Sequence, residues 1–301
     1  MVRYVPENIM ETNSDRHTVS EWAPLRDPLH WAQQFRLVQG VVAAAKTGFA
    51  MAMLGVDTAL PAVVVGLVSF AVYTANDLAD LEEDAINSPD HSSFVADHPA
   101  VVAALAVGTF VLGAAIAWLG GGPIALAIAC VPLGASLLYS FPVTPAGRRL
   151  KDVLGLNTTL VALAWAVTIT GVPLAVADRS VGPVATAVCL FFFLRSFISV
   201  EVFNVRDVAG DAATGVDTIP VALGVPRTRL VLALFEGCSL ALLVALMTVP
   251  SVALVALAAL PVMGYSLGLT WFLGETGRIE AFCLAKDGEY LLLGVAALVM
   301  L

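Results

Sequence analysis

Charge is what this sequence has least of. Charged residues occupy 13% of its 301 positions, lysine and arginine together number only 15, and neither occurs between Lys46 and Arg148. With a net charge of −9 the chain offers no basic face to a polyanion, which excludes nucleic acid as a partner. Cysteine is sparse too. Cys130, Cys189, Cys238 and Cys283 stand singly in apolar runs and form no C-x-x-C pair, so packing is their expected role. Also missing is the polar face at helical period that a soluble helical bundle would carry. Stretches 153–177 and 244–273 show none.

What is present is apolar. The chain is 59% hydrophobic, with a mean hydropathy of +0.88. A helix spanning the ~30 Å hydrocarbon core needs about 20 mostly apolar residues. Segments 36–55, 58–79, 99–119, 122–140, 153–175, 181–203, 227–248, 251–273 and 284–301 meet that length. The expected fold is therefore an all-α integral membrane protein with nine transmembrane helices over residues 36–301. Residues 1–35 are polar and hold Pro6, Pro24 and Pro28. They read as an N-terminal tail and a short interfacial helix, with Trp22 and Trp31 at the headgroups, rather than as a secretory signal.

Because basic residues are rare, their placement orients the chain. Arg3, Arg16, Arg26 and Arg36, then Arg148, Arg149 and Lys151, then Arg206, Arg227 and Arg229, then Arg278 and Lys286 all fall on one side of a nine-span arrangement, against Arg179 alone on the other. The bias of basic residues to the cytoplasm puts the N-terminus inside the cell membrane and the C-terminus outside. Lys46 and Arg195 lie within spans one and six. Snorkelling is the ordinary reading of such residues, but Arg195 is too deep for it, and an inward-facing, functional or ion-paired role is expected for both.

Two helix-length stretches end in matching acids. Asn76, Asp77, Asp80 and Asp84 lie in NDLADLEED, and Asn204, Asp207 and Asp211 in NVRDVAGD. At about 100° per residue each set shares one helix face, and clustered carboxylates repel unless a cation sits among them. Oxygen ligands at a helix end suit Mg²⁺, which completes its shell with water and substrate phosphates. Two such clusters on one cytoplasmic rim would hold a diphosphate through bridging metal ions. Solvated acids that only cap helix ends are the bland alternative, and matched spacing argues against it. Between the motifs stand Tyr139 and Ser140, then Arg148, Arg149 and Lys151, cations able to neutralise a leaving diphosphate. The offset that carries Asp80 onto Asp207 carries the 148–151 cluster onto 275–278, which holds Arg278. This suggests two related four-helix halves plus one helix, with the site where the halves meet.

These motifs resemble the UbiA superfamily of intramembrane prenyltransferases. NDLADLEEDAIN looks like its N-D-x-x-D-x-x-x-D signature, and NVRDVAGDAATGVDTIPVALG like its D-x-x-D-x-x-G-D signature with the trailing Gly, Thr-x-Pro and Gly. The resemblance implies nine helices in a ring around a central cavity. It also implies Mg²⁺ as cofactor, a polyprenyl diphosphate as donor, and transfer of the prenyl group to a hydrophobic aromatic or lipid acceptor. Asn76, Asp80 and Asp84 would form one metal and diphosphate side, with Asp77 supporting, and Asp207 and Asp211 the other, beside Asn204. Arg148, Arg149 and Lys151 would hold the diphosphate, with Arg36, Lys46 and Arg195 as further substrate-binding cations. Tyr139 and Ser140 would line the cavity near the reacting carbon. Phe191, Phe192, Phe193 and Phe197 are candidates for stabilising a carbocation through their ring faces, with simple packing as the alternative.

The sequence departs from the family at two points. Asn204 stands where most members have an acid, and the Arg-Pro pair that often follows the first motif is replaced by NSPDHSSF, in which His91 reads as an exposed loop residue. A terpene cyclase working without acceptor is the alternative within this fold. A secondary transporter using its acids as ion sites is the alternative from another class, less well matched because these acids sit at helix ends rather than at the midplane.

Overall fold

The computed structural model describes residues 36–140, 149–275 and 279–300. The expected tail and interfacial helix of residues 1–35, together with Arg148 and Arg278, lie outside the described residues. The described elements are helical: α1 Leu37–Leu54, α2 Leu60–Ala79, α3 Leu81–Asn87, α4 Pro89–Asp97, α5 Pro99–Ala129, α6 Val131–Ser140, α7 Leu156–Val176, α8 Pro183–Arg206, α9 Val208–Thr214, α10 Ile219–Leu223, α11 Val225–Leu246, α12 Ala253–Phe272 and α13 Ile279–Met300. Proline opens many of them: Pro61, Pro89, Pro99, Pro183, Pro220 and Pro226 each occupy one of the first two helical positions, where a missing N–H costs nothing.

Seven helical stretches are long and apolar enough to cross a membrane. One of them, Pro99–Ser140, is 42 residues long, about 63 Å at helical rise and twice the thickness of a bilayer core. It is not one rod. Gly122, with φ 65° and ψ −158° just before Pro123, breaks the helical path, and only glycine adopts that backbone without strain. Helix α13 stands outside the seven. It starts at Ile279, earlier than the 284 expected. Lys286 therefore sits inside a helix rather than in the loop before it, which corrects its use as a marker of sidedness.

The long helices pack in sequence, α1 on α2, α2 on α5, α5 on α7, α7 on α8, α8 on α11, α11 on α12, α12 on α13, and α13 back on α1. Close approach is built in where α1 meets α2. A methyl group on Gly40 would lie 3.1 Å from the Gly66 carbonyl oxygen, and one on Gly66 equally close to that of Gly40. Small residues facing each other let helices approach when no water drives them together. The outer surface is apolar: Leu119 is 84% and Leu298 74% exposed, as side chains facing lipid are.

One side of the assembly is held by charge. Arg195 on α8, Glu236 on α11, Ser266 and Thr270 on α12, and Lys286 and Glu289 on α13 form a single buried cluster. Arg195 pairs with Glu236 and Glu289 and donates to the Ser266 hydroxyl at 2.6 Å. The Lys286 ammonium lies 3.0 Å from Glu236 and 2.8 Å from Glu289. The Ser266 and Thr270 hydroxyls donate to Glu236 at 2.6 and 3.0 Å. Two cations balance two carboxylates, and the Tyr290 hydroxyl caps the Arg195 carbonyl at 2.8 Å. Of the two roles expected for Arg195, the structure gives the ion-paired one. Its two terminal guanidinium nitrogens are engaged in this cluster and it does not line the cavity described below, which corrects its place among the expected substrate-binding cations.

Removing one partner of a buried ion pair leaves an uncompensated charge and costs about 3–5 kcal/mol. We predict that Arg195→Met is destabilised by that amount in SDS-titrated unfolding followed by tryptophan fluorescence, whereas Arg229→Met, whose partner Glu275 is exposed, changes by less than about 1 kcal/mol.

Candidate active site

Both acidic motifs sit where a long helix gives way to a short one. Asp80 separates α2 from α3 (φ −110°, ψ 21°) and Asp207 separates α8 from α9 (φ −92°, ψ 6°). The expected single helix therefore breaks at the middle acid of each motif, though the four-residue hydrogen-bond ladder runs on through it. The Asp80 N–H donates to Asn76 O at 3.0 Å and the Asp84 N–H to Asp80 O at 2.9 Å. The second motif repeats this, from Asp207 to Phe203 O and from Asp211 to Asp207 O, both at 3.0 Å. Each set thus keeps a common face. The short helices α3 and α9 pack against each other, which brings the two acidic faces together.

They meet at a cavity of about 260 Å³. Asn76, Asp77, Asp80 and Asp84 line it from one side, and Asn204, Asp207 and Asp211 from the other. Most of these acids are already answered. The Arg36 guanidinium donates to both oxygens of buried Asp77, at 2.6–3.1 Å. His91 Nε2 lies 3.1 Å from the same carboxylate. His91 is buried on α4, so the exposed loop residue expected from the sequence is instead packed beneath the first motif. Lys151 Nζ donates to Asp80 Oδ1 at 2.6 Å, and Asn76 Nδ2 to Asp80 Oδ2 at 2.5 Å. Arg206 donates to both oxygens of Asp207, at 2.7 and 2.8 Å. The Thr218 hydroxyl, from the Thr-Ile-Pro that trails the second motif, donates to Asp211 at 3.2 Å.

Asp84 differs. Its carboxylate makes no hydrogen bond or ion pair among the described residues. Its carboxyl is pushed up to about 6 by burial and by the neighbouring Asp77, Asp80 and Asp207 carboxylates, with Arg36 opposing. A partly buried acid among other acids is a site short of a cation. The ligand atoms of Asp77, Asp84 and His91 lie within 4.8 Å of one another. Asp77 is committed to Arg36 and His91, Asp80 to Lys151 and Asn76, and Asp207 to Arg206, so among the described residues the rim carboxylate left without a partner is that of Asp84, and a metal would share Asp80, Asp207 and Asp211 with their present partners. An all-oxygen carboxylate set fits a hard divalent ion such as Mg²⁺.

Below the acids the wall turns apolar and aromatic. Tyr73 and Trp165 stack in parallel, ring centroids 5.8 Å apart and 5° between planes, and Tyr139 and Phe203 also face the cavity. Sequence reasoning missed Tyr73, Trp165, Arg206 and Asp287, all of which line it. Arg206 was counted only as a topology marker, and the run Lys286-Asp287-Gly288-Glu289 inside an apolar segment was the available signal for Asp287.

The other expected residues divide. Arg36, Lys46 and Tyr139 line the cavity, whereas Arg149 and Ser140 do not, and Lys151 stands behind Asp80. The phenylalanines proposed for carbocation contact do not line it either. Phe191 and Phe192 pack with Phe49 in the core, and Phe193 and Phe197 pack near Phe235. Packing is their role.

The description "UbiA prenyltransferase family" matches residues 38–280. Digeranylgeranylglyceryl phosphate synthase of Sulfolobus acidocaldarius is 26% identical over 178 residues, 59% of this chain and 62% of the relative. The enzyme of the same name from Methanoculleus marisnigri is 32% identical over 195 residues, 64% of this chain and 66% of the relative. The chain thus spans just under two thirds of the curated relatives it matches. Among solved structures, a UbiA homolog from Aeropyrum pernix superposes with a TM-score of 0.65 at 18% identity, covering 89% of this chain and 99% of that one. A UbiA homolog from Archaeoglobus fulgidus bound to GPP and Mg²⁺ does so at 0.61 and 16% identity, with the same coverage. At those identities the likeness is one of fold. The family match extends over most of the chain, from the first long helix to the start of the last, and makes this integral membrane protein a member of the UbiA prenyltransferase family.

Proposed function

We propose that the protein is a Mg²⁺-dependent intramembrane prenyltransferase that moves a prenyl group from a polyprenyl diphosphate to a hydrophobic aromatic or lipid acceptor. The observation that carries this reading is the pair of acidic motifs facing each other over an apolar, aromatic cavity. The Archaeoglobus relative's GPP and Mg²⁺ support the donor and the metal, and the name of the two synthases supports a prenylated lipid as product. The closed order of helix neighbours supports nine crossings in a ring, with the break at Gly122 dividing Pro99–Ser140 into two. The basic residues support a cytoplasmic N-terminus and acidic rim, with the C-terminus outside.

In this mechanism Asp80, Asp84, Asp207 and Asp211 hold the metal ions, with Asn76 and Asn204 beside them. When bound, Mg²⁺ supplies positive charge to the diphosphate as its bond to the allylic carbon breaks. Lys151 and Arg206 orient Asp80 and Asp207 and add charge beside the departing group. Tyr73, Trp165 and Tyr139 turn ring faces and edges toward the region where the allylic cation forms, and their apolar surroundings exclude water that would trap it. The acceptor then attacks that carbon and loses a proton.

Two outcomes are expected of the purified protein. Asp80→Ala and Asp211→Ala each lower Mg²⁺-dependent diphosphate release from geranylgeranyl diphosphate by at least about 100-fold, the scale of losing one preorganised charge contact. Full activity in either variant overturns the assignment, and release of a cyclic product without acceptor favours the cyclase. The second outcome concerns pH. Mg²⁺ must displace the proton held by Asp84, so affinity measured by calorimetry falls as pH drops below about 6, approaching tenfold per pH unit. Asp84→Asn flattens that dependence.

A further inference from the structure

Two more charged groups face the cavity, and neither belongs to the acidic rim. Asp287 on α13 is only 7% exposed, lines the cavity, and has no hydrogen-bond donor or cation within reach of its carboxylate among the described residues. Lys46 on α1 lines the same cavity. Its ammonium lies 3.8 Å from the centroid of the Tyr290 ring, and no described carboxylate comes within 4.0 Å of it.

Helix geometry places both groups below the rim. Glu280 lies 4.0 Å from Arg206, and Asp287 is two turns further along α13, about 10 Å deeper. Lys46 is about 15 Å along α1 from Arg36. Tyr73, two turns before Asp80, comes in at a similar level, about 10 Å down. A polar step therefore interrupts the apolar wall beneath the diphosphate end.

The neighbouring charges make this step unusual. Lys286 and Glu289, which flank Asp287 in sequence, are paired at 2.8–3.0 Å in a cluster that is already neutral. Asp287 is thus not needed to balance it. Asp287 and Lys46 line the cavity with no ion pair within 4.0 Å among the described residues, and at membrane depth such groups mark function. Asp287 also borders a second cavity of about 480 Å³, which shares Arg36, Gln39, Phe203 and Arg206 with the first and reaches Ser88 and His91 beside α4. Asp287 is thus shared by the two cavities, beside the rim partners Arg36 and Arg206.

A carboxylate only accepts hydrogen bonds and an ammonium only donates them. An anionic ligand would be repelled by Asp287 and a cationic one by Lys46. A hydroxyl, which donates and accepts at one atom, satisfies both. Resting on the prenyltransferase reading, we propose that Asp287 and Lys46 form the acceptor subsite, and that the acceptor is a hydroxyl-bearing amphiphile whose O–H donates to Asp287 and whose oxygen accepts from Lys46.

The test is native mass spectrometry of the purified full chain with two probes, 1-O-hexadecylglycerol and its dimethyl ether, and with geranyl diphosphate plus Mg²⁺ as the control for fold and donor site. The wild type is expected to retain the diol at least tenfold more strongly than the ether. Asp287→Asn and Lys46→Met are each expected to weaken diol retention about tenfold, and Asp287→Asn is expected to leave geranyl diphosphate within twofold of wild type. Equal retention of diol and ether by the wild type overturns the proposal, as does unchanged diol retention in both variants. If Asp287→Asn also loses geranyl diphosphate it has misfolded, and the wild-type comparison decides alone. Failure of the wild type to retain geranyl diphosphate with Mg²⁺ counts against the donor site instead.

Discussion

A charge inside a bilayer must be answered within hydrogen-bonding distance or turned toward a polar cavity, because no water is at hand to solvate it. That constraint organises this protein. Its few charges are distributed by helix face: the Arg195 cluster is paired between helices, Asp77, Asp80 and Asp207 on the rim are held by Arg36, Lys151 and Arg206, and Asp84, Asp287 and Lys46 face the cavity with no ion pair among the described residues. The Arg195 cluster ties α8, α11, α12 and α13 into one block. That block carries both the second acidic motif, at the end of α8, and Asp287. Among the described residues the side opposite shows no such cluster, and its α1–α2 contact includes the mutual approach of Gly40 and Gly66.

The two motifs share a backbone design and differ in their companions. Each long helix stops at the middle acid and restarts as a short helix with its hydrogen-bond ladder intact. On the first side, Asp80 is held by a lysine from the α6–α7 connection and Asp77 by an arginine from the head of α1. On the second, Asp207 is held by the residue next to it in sequence. Asn204 has no acid to offer and instead donates to the Thr158 hydroxyl, 3.4 Å away, which itself bonds Glu201. Where an acid would stand there is thus a chain of hydrogen bonds reaching back into the helix pair α7–α8.

Much of this was legible in the sequence, for identifiable reasons. Spanning helices announce themselves by length and hydropathy, and the acids by a spacing that helical geometry maps onto one face. The rotation of an almost wholly apolar helix leaves no such trace. Phe191 and Phe192 face the core rather than the cavity, and periodicity could not tell these apart. Arg195 and its partners lie between 41 and 94 residues apart, so their pairing emerges only once the helices are assembled. His91 misled because its segment is polar, and polar segments usually lie on the surface; this one folds back as α4 beneath the first motif.

The companions of the rim acids bear on how the site fills. Lys151 and Arg206 occupy carboxylate oxygens that a divalent ion would also need. A metal arriving alone must evict a side-chain cation and leave it stranded near new positive charge. A metal arriving with a diphosphate evicts the same cation but offers it phosphate oxygens in return. On the proposed reading, the resting ion pairs would thus favour joint occupancy by metal and donor over either by itself.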